Sequence, residues 1–520
     1  MSAQTEIGWV RSRTLVGIRG LTVDVEAQLL PGLPKFTIVG LPEAAVRESR
    51  DRIRGAMLAS GIDFPQRAIV VNLAPADLPK QGGRFDLPIA IAILLAMHRL
   101  DPATCQAFEF IGELSLSGQV RPVEGALPTA MSLVNSQTTN ESLQPALKKL
   151  IVPAANAIEA ALCQSCEVYP VTSLTELVAG LAGTTELAPL HVDEPVHGLP
   201  GNLTLPDLSD VKGQHSARRA LEIACAGCHN LLMVGPPGTG KSLLASVAPG
   251  ILPNMSLEEA VETASIQSIS HQGFDMTRWR RRPVRSPHHT VSGVALVGGG
   301  SKPKPGEISL AHNGVLFLDE LAEFPRSVLD VLREPIEAGH VTISRASRTA
   351  HFPADFQLIA AMNPCPCGYA GDPQTHCRCS AEQIRRYASR LSGPLLDRID
   401  LQVGVPRVAV SELKKSASGE SSQQVRQRVC AAYDIQLQRQ ECVNGKLTGE
   451  ALERYANLKA SAVHKLMSAT EKYNLSLRAH YRVMRVARTI ADLGGSVAVR
   501  NEHVLEALSY RQQLERCLPV

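Results

Sequence analysis

No stretch of this sequence is both long and apolar enough to cross a bilayer. The longest apolar run, Leu87–Met97 (LPIAIAILLAM), is about half of what a spanning helix needs. The N-terminus lacks a basic-then-apolar leader, so neither secretion nor a membrane partner is expected, and the expected location is cytoplasmic. Charge of one sign is also missing. A net charge of +3 over 520 residues excludes nucleic-acid binding by bulk electrostatics and leaves it to local clusters. No repeat recurs at solenoid spacing. The twelve cysteines of an intracellular chain are expected in metal sites or packed cores rather than disulfides. The 44% hydrophobic content over this length suffices for about three domains.

What is present begins with Gly235-Pro236-Pro237-Gly238-Thr239-Gly240-Lys241-Ser242, a match to GxxxxGK[ST]. In such a loop the backbone N–H groups cradle phosphates, Lys241 places a charge on the β and γ phosphates, and the Ser242 hydroxyl ligates Mg2+. The flanks fit, with NLLMV before it as a buried strand and SLLASV after it as a helix start. Downstream, GVLFLDE (Gly314–Glu320) reads as a second buried strand ending in two carboxylates. Asp319 is expected on the magnesium and Glu320 on the attacking water. A third strand, FQLIAAMN, ends at Asn363, whose amide is placed to orient that water. These residues predict an ATP-hydrolysing enzyme.

Composition divides the chain into an α+β segment over 1–183, a Pro/Gly/His-rich linker over 184–205, an α/β ATPase core over 206–405 and a polar helical segment over 406–520.

Long strings in this chain resemble the magnesium-chelatase-like AAA+ ATPases, and within them the competence-associated helicase branch. They are DVKGQHSARRALEIACAGCHNLLMVGPPGTGKS, SPHHT, PGEISLAHNGVLFLDELAEFPR, NPCPCGY, RLSGPLLDRIDL and SLRAHYRVMRVARTIADL. The resemblance implies an AAA+ P-loop core with a parallel sheet and a C-terminal helical lid. It further implies a homo-hexamer that uses ATP and Mg2+ to drive DNA branch migration and unwinding, integrating single strands during natural transformation with other recombination proteins. It places an arginine finger at Arg398 and a γ-phosphate-sensing lid arginine at Arg478 or Arg485, with Arg485 favoured.

Three regions are DNA candidates. HVTISRASRTAHF (His340–Phe352) alternates and turns as a hairpin should, with Arg345 and Arg348 near its tip, where a ring would present them to a pore. RWRRRPVR holds Arg278, Arg280, Arg281 and Arg282 around Trp279, a composition suited to single strands. Lys80 and Arg84 lie in a glycine-containing loop that reads either as a flexible basic contact with DNA or as a purely structural loop.

Cys365, Cys367, Cys377 and Cys379 lie within fifteen residues and predict a structural Zn2+ site, with His376 able to replace one thiolate and reduced packed thiols as the other reading. Cys163 with Cys166 and Cys225 with Cys228 lack a second pair and read as core, and His288 and His289 as polar contacts within the motor.

The segment IGELSLSGQVRPVEGALP resembles the proteolytic domain of Lon proteases, so the first domain is expected to be Lon-like. Arg84 and Phe85 stand where the nucleophilic Ser would lie and Leu127 where the Lys would, so peptide hydrolysis by that dyad is not expected. A chelatase motor subunit and a protein-remodelling ATPase are the alternatives to a DNA motor.

Overall fold

The computed structural model describes residues 7–43, 46, 48–135, 148–192, 205–300, 303–345, 348–408 and 419–511. The chain forms two compact units, Met1–Leu199 with Ala260–Trp279, and Pro200–Glu259 with Arg280–Val520. The first unit is therefore built from two separate stretches. Ala260–Trp279, which composition groups with the ATPase core, belongs to it.

The first unit is a seven-stranded sheet of β1 (Ile7–Val16), β2 (Arg19–Leu30), β3 (Lys35–Val39), β4 (Ala68–Ala74), β5 (Phe108–Phe110), β6 (Lys149–Pro153) and β7 (Glu167–Val171). Its order is β3-β4-β2-β1-β5-β6-β7. The β1–β2 pair is antiparallel, Ile7 opposite Gln28 through Val16 opposite Arg19. Along β2, Val23, Val25, Ala27 and Leu29 turn inward and polar residues alternate with them, the period-2 pattern of a half-buried strand. Helix α1 (Asp86–Ala96) contains most of the longest apolar run and is buried at every position. A helix apolar on all sides belongs inside a core, and this one packs on β1 and β2. Gly8 permits the approach, because a Cβ there would collide with the Ala92 carbonyl of the helix. Buried Asp86 accepts from Arg52 Nε at 2.6 Å, Ser49 Oγ at 2.5 Å and the Leu114 amide at 3.2 Å. Burial nonetheless holds its carboxyl above the usual range.

The second unit carries β8 (Leu231–Val234), β9 (Val284–Arg285), β10 (Val315–Leu318), the hairpin strands β11 (His340–Arg345) and β12 (Arg348–Pro353), β13 (Gln357–Met362) and β14 (Leu401–Gly404). Five of them form a sheet in the order β9-β10-β13-β8-β14, every neighbouring pair parallel. β8, β10 and β13 are buried throughout, which explains their unbroken apolar runs. Helices α2 (His215–Gly227), α3 (Lys241–Ile251), α4 (Ser422–Gln440) and α5 (Leu477–Leu493) pack together beside the sheet. From 419 onward the described chain contains only helices and connections. Because the strands run parallel, their C-terminal ends gather at one edge and their N-terminal ends at the other. Among the described residues no helix is long and apolar enough to cross a membrane.

Candidate nucleotide site

The loop Gly235–Ser242 joins β8 to α3 at the C-terminal edge of the sheet. Gly238 (φ +76°) and Gly240 (φ +88°) adopt left-handed backbone, and a Cβ at either would enter open space. Glycine therefore serves the turn there and leaves room for phosphates. Lys241 folds back so that Nζ donates to the Gly235 carbonyl at 2.7 Å, the Pro236 carbonyl at 2.8 Å and Asn363 Oδ1 at 3.2 Å. Burial lowers its pKa to about 8, against the pull of Asp319 and Glu320. Gln214, which the sequence reading missed, donates to the carbonyls of Thr239 (3.2 Å) and Pro406 (2.6 Å) and holds the loop from beneath.

Asp319 and Glu320 follow β10 at the same edge, and Asn363 follows β13. Ser242 Oγ donates to Asp319 Oδ2 at 2.6 Å, so the two groups expected on magnesium already face each other. Glu320 sits in left-handed backbone (φ +52°), an unusual conformation for this residue type. Its carboxylate lies 3.1 Å from His289 Nδ1. The His289 ring is stacked beside His288 (centroids 4.0 Å apart) and meets the edge of Phe324.

The arginines expected to reach a nucleotide are elsewhere. Asn230, at the start of β8, donates its side-chain amide to the Arg398 carbonyl at 2.9 Å, which puts Arg398 at the N-terminal edge of the sheet. The length of β8 alone separates it from the loop by about 13 Å. Arg398 Nη2 pairs with Glu337 at 2.8 Å, and its Nε has no hydrogen-bond partner. Arg485 is at the same edge, since its electrostatic neighbours are Asp400 and Arg482, and burial lowers its pKa. Arg482, which pairs with Asp400 at 3.2 Å, and Arg511, which donates to the Ile399 carbonyl at 2.7 Å, complete a basic cluster that the sequence reading missed. Arg478 is exposed on the first turn of α5.

A Walker-type loop, paired carboxylates and a parallel sheet in this order are common to many ATPases; comparison with known proteins narrows the choice. Residues 207–413 match the family model described as magnesium chelatase, subunit ChlI, residues 25–156 match subunit ChlI of Mg-chelatase, and 419–511 match its C-terminal region. The chain is 47% identical over 506 residues to the competence protein ComM of Haemophilus influenzae, covering 96% of this chain and 97% of that one. The chain belongs to the magnesium-chelatase-like ATPases of the ComM/YifB group. It is also 45% identical over 505 residues to the uncharacterized protein YifB of Salmonella typhimurium, covering 96% of each. A partial likeness, 24% identity over 209 residues, links it to the Lon protease of Rhizobium meliloti, covering 38% of this chain and 24% of that one. Membership makes the chain an ATPase and implies ATP and Mg2+, for which the open glycine cradle and the Ser242–Asp319 pair are a fitting donor set.

The structure buries some of the residues expected to contact DNA and leaves others exposed. Arg282 is bound to Glu259 through both Nη atoms (3.0–3.3 Å), to the Asn313 carbonyl at 2.8 Å and to Tyr433 Oη at 3.0 Å, which commits it to structure. Trp279 is buried against Phe274, with no face left for a base. Arg280 Nε donates to the Met255 carbonyl at 3.1 Å, and Arg281 is half-buried. Arg278 is exposed and pairs with Asp275 at 3.4 Å. In the first unit Lys80 is fully buried with its Nζ on the Pro75 carbonyl. Arg84 is likewise buried, donates to Thr129 Oγ1 at 3.0 Å and has its pKa lowered by burial to about 10. Of the two readings of this loop the structural one fits, because its lysine and arginine fold inward onto main-chain and hydroxyl acceptors. The hairpin β11–β12 pairs His340 with Pro353 through Arg345 with Arg348 at its closed end. The side chains of Arg345 and Arg348 lie outside the described residues.

The sulfurs of Cys365, Cys367, Cys377 and Cys379 all lie within 4.8 Å of one another. Cys225 is buried in the core, and burial raises the thiol of Cys228 to about 11.

Proposed function

We propose that this chain is the subunit of an ATP-driven hexameric ring that unwinds DNA and drives branch migration, promoting integration of single strands during natural transformation and recombination. One observation carries the reading. The phosphate loop and the Arg398–Arg485 cluster occupy opposite edges of a single sheet, which favours arginines supplied by a neighbouring subunit over ones supplied by the same chain. A ring in which each subunit presents its arginine edge to its neighbour's loop completes the site. In it Lys241 and the loop amides hold the phosphates, Ser242 and Asp319 hold magnesium, Glu320 takes the proton of the attacking water and Asn363 orients that water. Arg398 of the adjoining subunit stabilises the charge that develops in transfer, and Arg485 senses the γ phosphate from the same edge.

The name of the 47% identical relative, a competence protein, favours DNA over a porphyrin or a protein as the object of this work. The β11–β12 hairpin is the element best suited to contact the backbone of DNA, through Arg345 and Arg348. The four cysteines hold a structural Zn2+. The first unit is a Lon-like module that acts without peptide hydrolysis, and the protein works in the cytoplasm.

Mixing tests the ring. Arg398→Ala and Glu320→Gln chains should each be nearly inactive alone, by about 10³-fold or more for the arginine. Mixed, they should regain hydrolysis, because a Glu320→Gln subunit supplies Arg398 to its neighbour. No recovery in heterohexamers verified by native mass spectrometry would remove the finger from its role in trans.

A further inference from the structure

The cysteine loop does more than lie near the nucleotide site: it touches the phosphate loop. A Cβ built on Gly368 would fall 2.7 Å from Pro237 Cδ and 3.2 Å from its Cγ, with Asn363 Cγ at 3.9 Å. Gly368 also adopts φ +87°, so backbone and space alike demand glycine there. We infer that the four-cysteine loop is a metal-locked clamp on the phosphate loop, and that occupancy of the Cys365, Cys367, Cys377 and Cys379 site sets affinity for the nucleotide. The inference rests on the zinc reading above.

Three features support it. The distances Cys365–Cys367, Cys365–Cys377 and Cys367–Cys377 are 3.4, 3.7 and 3.5 Å between sulfurs, all four thiols are unbridged, and tetrahedral zinc with bonds of about 2.3 Å needs edges of about 3.8 Å. Second, the loop's own apolar core is small, Cys365, Ala370 and Ile384 with three partly buried cysteines, and beside it Arg407 pairs with buried Asp372 at 3.4 Å and lies over the Tyr369 ring. So few apolar groups do not fix a loop of this length, whereas a metal supplies ordering free energy directly.

Third, the metal's ligands are wired to both contacts with the site. Cys365 follows Asn363 by two residues, and Asn363 Oδ1 accepts from Lys241 at 3.2 Å. The Gly368 amide donates to the Cys365 carbonyl at 2.9 Å, and the Ala370 amide to Cys365 Sγ at 3.3 Å. Fixing Cys365 therefore fixes Gly368 against Pro237 and Asn363 against Lys241. Releasing it frees Pro237, in the middle of the loop that must wrap the phosphates.

The test uses the purified full-length chain, zinc determined with a chromophoric chelator, and titration with a fluorescent ATP analogue in magnesium. Wild type should carry a single zinc per chain. Stripping it with a zinc-selective chelator that spares magnesium should weaken analogue binding about tenfold or more, and added zinc should restore it. The Cys377→Ser/Cys379→Ser double variant should bind equally weakly and ignore added zinc. Gly368→Ala should keep its zinc yet bind the analogue weakly, which separates the contact from the metal. Circular dichroism melting checks that each variant is folded, and the stripped wild type needs no substitution at all. Zinc-free wild type with unchanged analogue affinity overturns the clamp while leaving the zinc site standing. Wild type without zinc overturns both, and neither outcome bears on DNA.

Discussion

Lys241 and Glu320 are buried and strained, respectively, in ways that suit work on a nucleotide. Lys241→Ala is expected to abolish binding of a fluorescent ATP analogue, because it removes the buried ammonium that the phosphate loop itself carries. Glu320→Gln is expected to keep binding within a few-fold while hydrolysis drops by about 10²–10⁴-fold. Normal turnover by that variant would remove Glu320 from its role as base. The placement of these positions was legible because each is a residue type at the end of an apolar run, where a parallel sheet gathers its strand ends. His289 and Gln214 were not legible in the same way. Both stand in strings that the sequence displays, SPHHT and DVKGQHSARR, but the contacts they make join segments that are distant along the chain.

Elements fix where those residues point, and the junction of α2, β8 and α5 is the clearest case. His229, between α2 and β8, is fully buried with Nε2 2.8 Å from Thr489 Oγ1 on α5, and Asn444 Nδ2 donates to the same hydroxyl at 3.0 Å. Burial lowers the His229 pKa from 6.5 to about 4. The unfolded chain thus takes up a proton that the folded chain refuses. The stability from this group is fully present above about pH 6.5 and drains away as pH falls toward 4. Thermal melts should show a steeper loss of Tm over that window in wild type than in His229→Gln. Thr489→Val, which takes from buried His229 Nε2 its hydroxyl partner and leaves Asn444 Nδ2 with Asp492 alone, should cost about 1–3 kcal/mol in chemical denaturation. At this scale the strands in KFTIVG, AIVVNL, NLLMV, GVLFLDE and FQLIAAMN were plain in the sequence, as was the hairpin, whereas β1 and β2 were not picked out. The RWRRRPVR run was misleading, because composition does not reveal that Glu259 and Tyr433 are waiting for Arg282, nor that Trp279 turns inward onto Phe274. For Lys80 and Arg84 the sequence left an exposed contact and a structural loop both open, and only the acceptors seen in the fold decide between them.

For the whole molecule, the α/β character and the parallel ATPase sheet followed from the alternation of apolar runs and helical segments. The return of Ala260–Trp279 to the first unit did not, since an excursion into another unit leaves no compositional mark. The separation of the phosphate loop from the arginine cluster was equally hidden, being a consequence of strand direction. It is the feature that turns an ATPase core into a proposed ring. The central claim, that hydrolysis in this ring is spent on DNA, is tested most directly by measuring ATP turnover of the purified protein without DNA, with single strands and with a branched junction, using Glu320→Gln as control. Strong stimulation by DNA together with strand displacement in the same reaction is the predicted result. Hydrolysis that proceeds at one rate regardless of DNA, with every strand left paired, would contradict it.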